Sequence, residues 1–86
     1  MPRYIIERNF ADQLGLTKNA VEGVNRINDE EGVTWIISFL SADKKKTYCL
    51  YEAPNPEAIR AAARRNNIPA DVIIEIGGEL SPTMFG

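Results

Sequence analysis

The 86 residues contain no histidine at all. This removes the commonest general base and the commonest neutral metal ligand, so imidazole-based triads, HExxH zinc sites and histidine pH switches are excluded. A single cysteine, Cys49, leaves no internal disulfide and no multi-cysteine zinc or iron–sulfur site. No apolar run approaches membrane-spanning length, and the chain enters a strand-like segment directly, without a charged region followed by an apolar stretch; both features point to a cytoplasmic protein with no secretion signal. Basic charge is not in excess: ten Lys and Arg against twelve Asp and Glu give a net charge of −2, the wrong sign for a dedicated nucleic-acid binder.

What remains is a short chain with 44% hydrophobic residues, enough for one modest core. Residues 1–78 are expected to form a single domain and 79–86 a tail, an extended arm ordered against a partner subunit. A core this small gains from association, so a homodimer is the expected state. The chemistry available is carboxylates, arginines, tyrosines, one thiol and an apolar pocket.

Local patterns give an element order. Tyr4-Ile5-Ile6-Glu7-Arg8-Asn9-Phe10 has the β-branched and aromatic character of a strand. Thr17 is placed to cap a helix with apolar Ala20, Val21, Val24 and Ile27 at three- and four-residue spacing, ending near Gly32. Val33 to Leu40 and Thr47 to Ala53 read as a hairpin joined by Ser41-Ala42-Asp43-Lys44-Lys45-Lys46. Asn55-Pro56-Glu57 is a helix start, because Asn accepts an orphan backbone N–H, Pro has no donor to waste and Glu favours the positive end. That helix runs to about Asn66, and Val72 to Ile76 forms a last strand closed by Gly77-Gly78.

The order β-α-β-β-α-β is that of an α+β ferredoxin-like fold: a four-stranded antiparallel sheet, strand order 4-1-3-2, with both helices on one face. The other face is left for solvent, a second subunit or a ligand. Strict alternation, with carboxylates turned outward to avoid desolvation, places Glu7, Glu52 and Glu75 on that open face beside a wall of Trp35, Ile37, Phe39 and Leu50. Neighbouring carboxylates against aromatic surface suit general acid/base work or hard-cation binding; the plainer reading is that they pair with Arg3, Arg8 or lysines and keep the face soluble. Cys49 has two readings, a soft ligand for nickel, copper or zinc, or a small buried hydrophobe. Trp35 is core or interface mass, or a platform for a ligand.

The strand Thr47-Tyr48-Cys49-Leu50-Tyr51-Glu52-Ala53-Pro54, the segment Tyr4 to Phe10 and the helix exit Arg64-Arg65-Asn66-Asn67-Ile68-Pro69-Ala70-Asp71 occur together in an order and spacing that resemble a family of small bacterial proteins. That family is catalogued mostly as a domain of unknown function and includes nickel-responsive proteins; the resemblance spans roughly residues 3 to 76. It implies a ferredoxin-like homodimer with transition-metal binding in some members. Where histidines are expected in that pattern, this chain aligns Ile37 and Ala62, and the surviving ligand types are Cys49, Glu7 and Glu52. The resemblance therefore leads to a small protein that binds a metal, nickel or another transition metal, or a small ligand at its open sheet face. Ligand contacts are expected from Trp35, Ile37, Phe39, Tyr48, Leu50 and Glu75. The alternative is a small biosynthetic enzyme of the cyclase or cofactor-free monooxygenase type, with an apolar substrate in the sheet cavity, Glu7 or Glu52 as acid/base, and Tyr48 or Arg8 as a hydrogen-bond partner.

Overall fold

A computed structural model describes residues 1–11 and 15–85, so the turn leading from the first strand toward Gly15 lies partly outside the described residues, as does Gly86. The elements are β1 (Arg3–Asn9), α1 (Lys18–Glu31), β2 (Thr34–Leu40), β3 (Lys46–Glu52), α2 (Pro56–Asn66), β4 (Val72–Ile76) and a short 3₁₀ turn at Pro82–Phe85. The sheet is antiparallel in the order β2-β3-β1-β4, as the ferredoxin-like pattern requires, and the two helices cover one face.

Each helix starts and stops on the residues that local chemistry favours. Thr17 accepts from the Ala20 backbone N–H at 3.1 Å, and Asn55 accepts from that of Ala58 at 2.9 Å with Pro56 behind it. Both helices end on a left-handed residue, Gly32 (φ 75°) and Asn67 (φ 56°), whose N–H groups return to the last turn. Asn67 holds without glycine a conformation that asparagine tolerates better than most residues.

The core lies between sheet and helices. Tyr4, Ile6, Cys49 and Tyr51 from the two central strands meet Ile59 and Ala62 from α2, with Val33 and Ala53 closing the ends. The helices are seated unequally. α2 buries Ile59, Ala62 and Ala63, small enough to bring its backbone close to the sheet, whereas α1 fully buries only the polar Asn28 and leaves Val21, Val24 and Ile27 half-buried. Arg65 of α2 ties the pair together by bonding Glu30 at 2.6 Å and Glu31 at 3.2 Å, and the two carboxylates raise the guanidinium pKa through those hydrogen bonds. The tail is not fully extended: Pro82–Phe85 makes a single 3₁₀ turn, and Leu80, Met84 and Phe85 remain in solvent.

Candidate functional site

Strand pairing resolves the open face into three rows that each run across β2, β3, β1 and β4. The middle row, Ile37–Leu50–Ile5–Ile74, is entirely apolar. One flank is Phe39–Tyr48–Glu7–Val72 and the other Thr34–Glu52–Arg3–Ile76. Phe39 is 63% exposed, Ile74 57% and Ile37 48%, so the band is a continuous apolar surface facing outward. Surfaces of this kind on a sheet mark a place where something else sits.

Glu7 and Glu52 are on this face, as alternation predicts, but they do not form a pair. They sit in opposite flanking rows, four residues apart along β3, which is roughly 13 Å at strand rise. Each is engaged by a cation of its own: Glu7 by Lys46 at 3.8 Å, and Glu52 by Arg3 at 3.5 Å. Lys46 also approaches the Tyr48 ring, 5.9 Å from its centroid. A shared proton or a bridged substrate needs carboxylates closer than this.

Two expected members of the open face belong to the other side. Trp35 pairs with Tyr51 and Ser38 with Cys49, both on the helix-covered face, because the register shifts between Trp35 and Ile37. This bulge spends Ile36 as an extra residue, so Trp35 and Ile37 point to opposite faces instead of sharing one. Glu75 is opposite Tyr4, again on the helix side. It costs little there because β4 is an edge strand and Glu75 remains exposed beyond the reach of the helix layer. Burial and then the Glu75 carboxylate push the Tyr4 phenol upward in pKa.

Cys49 is buried, with its thiol 3.5 Å from Thr47 Oγ1. It faces away from Glu7 and Glu52, so the thiol and the two carboxylates are separated by the sheet itself. Ile37 and Ala62 are likewise divided, the first on the open face and the second buried on α2. Among the described residues no group of three or more His, Cys, Asp and Glu side chains converges on a point where a metal ion could be held. The described residues of a single protomer do not fit the coordination demands of nickel.

The helix-covered face carries a feature that alternation alone did not single out. A cavity of ≈ 80 Å³ lies beneath α1, lined from the sheet by Arg8, Trp35, Ser38, Thr47, Cys49 and Tyr51, with Val24 above. Arg8 is only 3% exposed. One of its N–H groups donates to the Pro69 carbonyl at 2.5 Å, and the guanidinium carbon lies 5.5 Å from the centre of the Tyr51 ring. Burial raises the Tyr51 pKa, against the opposing charge of Arg8, and the buried Asn28 amide nitrogen has no hydrogen-bond partner among the described residues. The sequence signal for this site was the alternation Tyr4-Ile6-Arg8, which carries a charge inward at the end of an otherwise apolar set.

The family described as nickel responsive protein SCO4226-like matches residues 4–76. A crystal structure of SCO4226 from Streptomyces coelicolor A3(2) superposes with a TM-score of 0.69 at 20% identity, covering 91% of this chain and 99% of that one. No curated protein matches the chain at a significant level. At this identity the structural likeness speaks for the fold alone.

Proposed function

The chain belongs to the SCO4226-like family of nickel-responsive proteins, and from that premise we propose that it acts as a homodimer whose open sheet faces meet and hold a small apolar organic molecule in place of a metal. The observation that carries this reading is the unbroken apolar row Ile37–Leu50–Ile5–Ile74 with Phe39 beside it, exposed on a face that no helix covers.

A second copy is the occupant that best answers the geometry. The row is flanked on either side by a carboxylate with its own cation, Glu7 with Lys46 and Glu52 with Arg3, which gives an apolar centre and a charged rim. Arg3 also reaches Glu79 at 3.6 Å, so the tail starts at the border of this face. Beyond that anchor Leu80, Met84 and Phe85 have no apolar cover from their own chain, and they supply additional surface for a partner. Stable interfaces bury roughly 800 Å² per partner, and the tail adds apolar surface to what the face supplies. The divided thiol and carboxylates argue against the nickel site that the relatives' description suggests. A lone buried thiol suits a reducing, cytoplasmic setting, and no helix among the described residues is long and apolar enough to cross a membrane.

Native mass spectrometry of protein purified without a histidine tag tests the reading. The expected species has twice the 9.6 kDa chain mass and carries an organic adduct, and Phe39→Glu collapses it to a folded monomer without the adduct. A wild-type protein that is monomeric at tens of micromolar would rule the proposal out.

A further inference from the structure

The two helices differ in how well their own sequences hold them. α2 has Ala58, Ala61, Ala62 and Ala63, with Glu57 in its first turn and Arg64 and Arg65 in its last, so helix propensity and the helix dipole act in the same direction. α1 has the reverse pattern. It begins at Lys18, has no acid in its first turn and no base in its last, and ends on Asp29, Glu30 and Glu31, carboxylates at the end where the backbone is already negative. Its interior carries Val21, Gly23, Val24, Asn25 and Ile27, all weaker helix formers than alanine. Packing does not demand the glycine, because a Cβ at Gly23 would meet nothing within 4 Å.

Tertiary packing does little to offset this. The cluster of core residues and the half-buried side chains against it draws on the sheet, on α2 and on the connections, and includes no residue of α1. Val21, Val24 and Ile27 are half-buried, and Val24 borders a cavity of ≈ 80 Å³ that it does not fill. The one fully buried side chain of α1, Asn28, has an amide nitrogen with no partner among the described residues, a donor that water satisfies once the helix lifts. Among the described residues a single cation forms ion pairs with α1: Arg65 of α2, at 2.6 Å from Glu30 and 3.2 Å from Glu31. Both pairs lie at the surface, where salt screens them.

We propose that α1 is a cover that opens as a unit while the sheet and α2 stay folded, with Arg65 as its latch, and that opening exposes the apolar cavity and the Cys49 thiol in its wall. The core cluster keeps its contacts when α1 leaves, because none of them is made by α1. The acidic end of the helix has two effects: its carboxylates weaken α1 in isolation and give Arg65 its hold when α1 is seated. Ionic strength therefore shifts the balance toward the open form by screening the latch. The cover lies on the helix side of the sheet, so it works in one protomer and does not depend on what meets the open face.

Cys49 is the only cysteine, so its alkylation by excess iodoacetamide, an uncharged reagent from which the thiolate displaces iodide, reports opening through the mass of the intact protein. Below the unfolding transition the labelling rate is expected to rise with urea at about half the slope of global unfolding or less, since opening exposes less surface than unfolding does. Hydrogen exchange on the same protein should show α1 amides exchanging about tenfold faster than those of α2. Gly23→Ala should slow labelling about fivefold. Arg65→Gln should speed it about two- to fivefold and abolish the acceleration that about 0.5 M sodium chloride gives the wild type. Ile73→Val, on the edge strand β4 and packed against the core, should lower the global urea midpoint and leave low-urea labelling unchanged. Labelling that follows the slope of global unfolding at every urea concentration, or equal protection of α1 and α2 amides, overturns the proposal.

Discussion

The indole N–H of Trp35 donates to the Ser38 hydroxyl at 2.8 Å although the two residues are three apart in one strand. In a regular strand such a spacing sends side chains to opposite faces. The bulge between Trp35 and Ile37 brings both to the helix-covered side, where the hydrogen bond joins two residues that line the same cavity.

Ser38→Ala removes the acceptor and leaves a half-buried indole N–H without one. A loss of about 1 kcal/mol in unfolding free energy is expected by urea denaturation, since an unmet donor costs more than the bond itself contributes. Ser38→Thr, which keeps the hydroxyl, should restore most of that loss.

The same bulge explains why one part of the candidate site was legible in sequence and another was not. β1 and β3 are regular central strands, so alternation placed Glu7, Tyr48, Leu50 and Glu52 on the open face and Cys49 on the other. In β2 one extra residue reverses the faces between Trp35 and Ile37, and no glycine or proline marks it. Glu75 was placed outward on the ground that a carboxylate under helices is costly, yet on the edge strand β4 the helix-side face is itself exposed. The order of elements depended on caps and β-branched runs, which are local, and so it was readable throughout the described chain. Arg8 shows the reverse case: it was expected beside the open-face glutamates, yet it alternates with Tyr4 and Ile6 and is buried on the helix side, while Arg3 and Lys46 take the glutamates.

Ile59 is fully buried and is the branched side chain through which α2 reaches the sheet. Ile59→Ala is expected to cost about 2–5 kcal/mol, because the lost methyl groups leave a cavity that the neighbouring alanines cannot fill. For a domain of this size that is a large share of total stability. Thermal unfolding followed by circular dichroism should show a midpoint well below wild type, or a chain already unfolded at room temperature.

Tyr51 and Tyr4 link stability to alkaline pH. Burial raises both phenol pKa values above the ordinary value of 10. The folded state therefore holds its protons longer than the unfolded chain does, so their contribution is complete below pH 10 and is lost as pH rises through the folded values. Denaturation midpoints should be flat from pH 8 to about 9.5 and fall above 10. Tyr51→Phe should shallow that fall; an unchanged slope would assign it to Tyr4.

Nickel should not be retained stoichiometrically. A first-row metal needs several donors about 2 Å from one point, and the donors here are distributed against that. Cys49 is buried on the helix side; Glu7 and Glu52 are on the open side, in rows roughly 13 Å apart by strand rise, each with a cation at hand. Pairing two copies face to face cannot bring Cys49 through the sheet; it can only add carboxylates to carboxylates, a donor set that suits hard cations better than nickel. Untagged protein incubated with nickel and then desalted is expected to carry far less than one nickel per chain by elemental analysis, and Cys49→Ser should leave that content unchanged. A full equivalent that disappears with Glu7→Gln or Glu52→Gln would instead mean that facing subunits assemble an all-oxygen site across the interface.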